Sequence, residues 1–206
     1  MSKINKVWIP AIIATIIAQL LVAYYVYSTL LHGGEGRLPT GNTHRPPREG
    51  NDNYDGLFTT LGTIALFLGA ASFSWYWFKK KRKSQSMWVR QAGSLLFTLH
   101  KLIGWTTLIL VVIHGTYFLI TKLHDDKIYS GIAAFSILLT LVGYGYFINK
   151  IRNKWMRTVH RSLGLIGVPV LLLHGGGSAI MAVIVTLAAF GLVILFERRA
   201  GQAGNE

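Results

Sequence analysis

The chain contains no cysteine. That excludes disulfides, thiolate nucleophiles, cysteine-ligated iron–sulfur clusters and the C-x-x-C-H attachment of c-type haem. Charge is also scarce: Asp, Glu, Lys and Arg make up 14% of 206 residues, and acids number only 8 against 21 Lys plus Arg. A soluble domain of this length needs a far more charged surface. What the chain has instead is apolar sequence, 51% of its residues, gathered in long runs. This composition describes a multi-pass membrane protein with little room for a separate soluble domain. The net charge of +13 would suggest nucleic acid on a soluble chain. On this one it reads as topogenic charge beside anionic lipid, with membrane lipids and not nucleic acid as the partner.

About 20 apolar residues cross a bilayer. Six segments qualify, at 7–31, 57–78, 95–121, 128–149, 158–174 and 178–196. The expected fold is therefore all-α: a single membrane domain, 1–206, built as a bundle of six transmembrane helices. The first run is preceded by Lys3 and Lys6 but is too long for a signal peptide, so it reads as a retained helix. The fifth is the shortest and carries Pro169. Sixteen of the 21 basic residues fall on one side of these spans, among them Lys79 to Lys83, Arg90, Lys101, Lys150, Arg157, Arg161, Arg198 and Arg199. The opposite side carries most of the acids. The positive-inside rule then gives N-in, C-in. Residues 32–56, rich in Gly, Pro and Asn, read as an external loop, an irregular cap or mobile connection. Short loops point to a prokaryotic plasma (inner) membrane.

Seven histidines are present, and four lie inside apolar spans. His100 and His114 are on the third span, His160 and His174 on the fifth. Each pair is 14 residues apart. In an α-helix 14 steps of about 100° return to within about 40° of the starting face, after about 21 Å along the axis. The surroundings repeat as well. His100-Lys101-x-x-Gly104 followed by His114-Gly115 reappears 60 residues later as His160-Arg161-x-x-Gly164 followed by His174-Gly175. Spans three-plus-four and five-plus-six thus read as parallel repeats of a helix hairpin. His100 then shares one depth with His160, and His114 another with His174.

Two facing imidazoles at one depth suit six-coordinate haem iron, with the ligands on facing helices of a bundle. The reading is two haems between spans three and five. Without cysteine they are held non-covalently, as haem b. Gly104 and Gly164, one turn from the inner histidines, leave room for the macrocycle, as do Thr107 and Gly167 midway between the levels. Lys101 and Arg161, with Arg90 and Arg157, are candidates for the inner propionates. His32, His44 and His124 lie outside the spans and read as polar loop residues. Trp105 reads as core or lipid-facing.

Six spans with paired histidines on the third and fifth resemble the membrane domain of the ferric reductase / NADPH oxidase family. The resemblance rests on His100, His114, His160 and His174 and covers roughly residues 57–196. It implies two stacked b haems that carry electrons across the bilayer, reduced inside and oxidised outside. It also implies stand-alone haem subunits that serve partner reductases. The family's full oxidases carry a flavin- and nicotinamide-binding domain after the last span. Here only about ten residues follow Phe196, and Gly175-Gly176-Gly177 lacks the G-x-G-x-x-G spacing.

The expected function is transmembrane electron transfer by an oxidoreductase subunit. A cytoplasmic flavoprotein or membrane quinol donates, and an external acceptor receives. No side chain is expected to act as nucleophile or acid–base catalyst. One rival is a quinone-linked cytochrome b subunit serving a partner oxidoreductase. A rival of another class is a histidine-based metal or proton transporter. It calls for acids beside the histidines, and none falls inside the six spans.

Overall fold

The computed structural model describes residues 8–32, 52–78, 81, 84, 86–122, 125, 127–151 and 153–203. All regular structure among them is helical: α1 (Ile9–His32), α2 (Asp52–Phe78), α3 (Met87–Thr121), α4 (Lys127–Ile151) and α5 (Lys154–Ala203). All five are long and apolar enough to cross a membrane. Their outward faces are apolar too, with Leu173 80% and Leu30 77% exposed. A surface of that kind suits hydrocarbon rather than water.

Helix ends extend past the apolar runs. The third run begins as helix at Met87, eight residues before its apolar stretch, and the second at Asp52. Once a helix is nucleated, continuing it adds a backbone bond per residue, so polar residues extend it. Three acids, Asp52, Asp55 and Glu197, therefore belong to helices, although none lies in an apolar run. The expected loop at 32–56 shrinks accordingly: His32 closes α1, Asp52 opens α2, and 33–51 lie outside the described residues. Two starts are capped by side chains. The Asp125 carboxylate accepts from the Lys127 amide at 2.9 Å and the Asn153 side chain from the Trp155 amide at 2.9 Å, satisfying N–H groups that a helix leaves unpaired.

α5 has 50 residues. Unbroken it would be about 75 Å long, against a hydrocarbon core of about 30 Å. It is broken at Gly176, whose φ of 52° and ψ of −127° are non-helical and open mainly to glycine. Its contacts with α2 reverse there. Gly164 lies against Phe73 and Gly175 against Leu66, so residue numbers on α2 fall. Beyond Gly176 they rise: Phe190 meets Trp77, with ring centroids 4.5 Å apart, and Glu197 bonds Lys81 at 2.5 Å. The chain doubles back at this glycine.

α2, the first part of α5, α4 and α3 form a ring in which neighbours pack together. α3 and α5 are diagonal partners and touch only sparsely. α1 lies outside, antiparallel to α4, with Pro10 against Gly143 and Tyr25 edge-on to Tyr129. Two buried clusters close one end. Tyr144 and Met156 join α4 to α5, and Phe78, Val89 and Val193 join α2, α3 and the returning part of α5. This end also gathers Lys81, Arg90, Lys101, Lys150, Lys154, Arg157, Arg161, Arg198 and Arg199.

Candidate functional site

The diagonal helices carry the four histidines, and the structure brings them together in two pairs. The rings of His100 and His160 have centroids 6.2 Å apart and planes at 80°. Those of His114 and His174 are 6.3 Å apart at 82°. The two pairs are separated by 14 residues on each helix, about 21 Å along the axis.

Each ring is fixed through Nδ1. His114 Nδ1–H donates to the Phe58 carbonyl at 2.8 Å, and His160 Nδ1–H to the Leu141 carbonyl at 2.9 Å. His100 Nδ1–H is shared between the Ser72 carbonyl at 3.2 Å and the Ser72 hydroxyl oxygen at 2.9 Å. His174 Nδ1 meets the Ser130 hydroxyl at 3.1 Å. That hydroxyl already donates to the Lys127 carbonyl at 2.9 Å, so its oxygen accepts from the ring. A carbonyl can only accept, so the proton is on Nδ1 and the Nε2 lone pair is left for a ligand-binding role. Outer-shell acceptors of this kind orient metal-binding imidazoles and raise their basicity.

The acceptors lie on α2 and α4, and those on α2 repeat the histidine spacing. Phe58 and Ser72 are 14 residues apart, matching His114 and His100 in reverse. Glycine near the acceptor opens the approach: Gly62 and Gly145 lie four residues beyond Phe58 and Leu141, and Gly131 directly follows Ser130. A Cβ on Gly62 would lie 2.6 Å from the His114 ring, one on Gly131 3.0 Å from His174, and one on Gly145 3.2 Å from His160. The imidazoles rest against bare helix backbone; His114 and His160 reach the second lone pair of a carbonyl already bonded within its helix, and His174 reaches the Ser130 hydroxyl. At His100 the equivalent position is Tyr76, and Ser72 supplies a hydroxyl as well as a carbonyl. Sequence reading missed this α2–α4 layer. One signal was available: Gly131 and Gly145 carry the same 14-residue interval as the histidines they support.

The other expected site residues fall around the pairs. Gly104 faces open space: a Cβ added there would have no atom within 4 Å, while one on Gly164 would meet only the Phe73 ring, in ordinary contact. Thr107 and Gly167, midway between the levels, are buried. Lys101 and Arg161 are exposed beside the inner pair. His44 and His124 lie outside the described residues. Trp105 packs edge-on against Tyr146, with centroids 6.4 Å apart, and lines a cavity of about 170 Å³ with Pro10 and Ile13. A larger groove, about 770 Å³, runs between α1 and α4 away from the histidines.

The pairs can be tested against a metal. An imidazole nitrogen lies about 2 Å from a first-row metal and about 1.1 Å from its own ring centre, so two imidazoles in trans have centroids about 6.3 Å apart. Both pairs match this separation, and the hydrogen bonds that the rings make among the described residues use Nδ1. Among the described residues no group of three or more His, Cys, Asp or Glu is placed to hold a metal ion. Each pair supplies two protein ligands, the number that a porphyrin-bound iron takes. Comparison with family models, curated proteins and solved structures returns no match, so the site rests on its own geometry.

Proposed function

We propose that this chain is a di-haem b-type cytochrome, the membrane electron-transfer subunit of a ferric reductase-like oxidoreductase. The observation that carries the reading is the double pair: two imidazole couples at 6.2 and 6.3 Å, each ring held through Nδ1. In this reading the turn at Gly176 gives six crossings, and the end rich in Lys and Arg faces the cytoplasm, N-in and C-in, at a plasma membrane. Haem bound between α3 and α5 would supply reversible one-electron iron chemistry at two depths.

The chain's own residues do the rest. His100 and His160 hold the inner site; His114 and His174 hold the outer one. Ser72, Leu141, Phe58 and Ser130 fix their tautomers. Gly104 and Gly164 keep bulk away from the slot. Lys101 and Arg161 offer cations to carboxylates at the inner surface. The donor is a cytoplasmic flavoprotein or a membrane quinol, and the acceptor is external. The cavity lined by Trp105, Tyr146, Leu108 and Val142 favours the quinol. Its lining residues Gly143 and Tyr146 flank Gly145, which supports His160. A histidine proton relay is disfavoured at His114 and His160, because a backbone carbonyl holding Nδ1–H cannot pass a proton on.

Reduced-minus-oxidised absorbance of purified protein, with pyridine haemochrome quantitation, tests this. Two b haems per chain are expected, and His114→Ala should abolish one while leaving the other. A haem-free protein after expression with ample haem would sink the reading.

A further inference from the structure

Above the outer imidazole pair, on the side away from the inner one, stands a cluster that the proposed function does not use. The Tyr117 hydroxyl donates to Asp55 Oδ1 at 2.8 Å. Lys122 Nζ forms an ion pair with Asp55 Oδ2. The Tyr117 ring lies flat on Phe58, with centroids 3.8 Å apart and planes at 9°. Phe58 is the residue whose carbonyl accepts from His114 Nδ1–H, at 2.8 Å the shortest of the ring contacts. Tyr117 is one turn beyond His114 on α3, and Asp55 one turn before Phe58 on α2.

We propose that Asp55, Tyr117 and Lys122 are positioning residues for the outer ligand His114, and that their balanced charges set the potential of the outer haem independently of the inner one. This rests on the di-haem reading. Two physical links carry it. First, the ion pair, hydrogen bond and ring stack clamp the first turns of α2 onto the end of α3. They hold the Phe58 carbonyl on Nδ1–H, and a firmly held acceptor makes the imidazole a stronger donor to iron. Second, the side chains of Asp55 and Lys122 are only about a quarter exposed, at 27% and 26%. Solvent therefore screens them incompletely. As a pair they are close to neutral at the outer site. Removing either charge shifts the net charge beside the outer site by one unit, and a carboxylate favours the oxidised centre while an ammonium favours the reduced one. Among the described residues the other ion pair, Lys81–Glu197, lies beyond the inner pair and joins the segment after α2 to α5.

The test is redox potentiometry of the intact haem-loaded protein, following the two haems separately. Asp55→Asn, which leaves Lys122, should raise the outer midpoint. Lys122→Gln, which leaves Asp55, should lower it. Each should change the oxidised-to-reduced ratio at fixed potential about tenfold, or 59 mV for one electron. The double variant should return close to wild type, and Lys122→Arg should hold the wild-type value. Tyr117→Phe keeps the stack, loses the hydrogen bond, and should move the outer haem only. Shifts of the same sign in the two single variants, or equal movement of both haems, would overturn the proposal and leave the di-haem reading standing. Absence of haem in the dithionite spectrum of the wild type would overturn both.

Discussion

His114 and His174 face each other across the gap between α3 and α5 with ring planes at 82° and centroids at 6.3 Å. The relationship repeats at the other level, between His100 and His160, at 80° and 6.2 Å. The perpendicular setting comes from the Nδ1 acceptors. Nδ1 of one ring is tied to α2 and Nδ1 of its partner to α4, on different sides of the slot, so neither ring can rotate to lie parallel to the other.

That setting has a spectroscopic consequence. Perpendicular axial imidazoles leave the two iron d orbitals that carry the unpaired electron nearly degenerate. If the pairs hold haem as proposed, both ferric centres are expected to give strongly anisotropic low-spin signals in frozen-solution electron paramagnetic resonance. A pair of ordinary rhombic low-spin signals would mean parallel rings and a different anchoring of Nδ1.

The supporting glycines are expected to be as sensitive as the ligands. Gly62→Ala places a methyl 2.6 Å from the His114 ring, where backbone on one side and the ring on the other leave no room. Its effect should resemble loss of an outer-shell partner, about 10–100-fold in affinity for the outer group. Haem content should fall toward one per chain. Gly145→Ala, at 3.2 Å from His160, should weaken the inner site less. Separate titration of haem into each variant measures this.

Gly104 separates room for protein from room for a ligand. A Cβ there meets nothing within 4 Å, so Gly104→Val should leave the helices assembled and fold stability changed by less than about 1 kcal/mol. It should nevertheless reduce inner haem content, because the added bulk enters the slot. Circular dichroism melting beside haem quantitation checks both halves. Full haem content with valine present would place the macrocycle elsewhere.

Lys81, just after α2, and Glu197, on the returning part of α5, meet at 2.5 Å, with side chains 35% and 22% exposed. A partly exposed pair of this kind contributes about 1 kcal/mol or less. Glu197→Gln should lower the melting temperature slightly and leave both haem potentials unchanged, in contrast to the Asp55 and Lys122 variants. A large loss of stability would mean that the pair holds the hairpin at Gly176 closed.

Much of the fold was legible in one dimension because its causes are local. Hydropathy depends on composition over a window, so the apolar runs predicted the positions of the helices. Their ends were less legible: α3 starts at Met87 and α2 at Asp52, since helix propagates through polar residues without help from the bilayer. The turn in α5 was anticipated by the break between runs at 174–178, and Gly176 has the left-handed backbone that such a turn requires.

The site divides in the same way. Helical geometry alone places His100 with His114, and His160 with His174, on single stripes, and the 60-residue repeat orders them by depth. Which carbonyls receive their Nδ1 protons is decided by how α2 packs on α3 and α4 on α5. Backbone acceptors carry no residue identity, so Phe58 and Leu141 gave no sign of their role. The sequence by itself determined the helices, the four histidines and their spacing, because periodicity and hydropathy follow from residue order. Only the tertiary structure decided the pairing distance, the perpendicular rings, the glycine supports and the Asp55–Tyr117–Lys122 cluster, because each depends on register between helices distant in the chain.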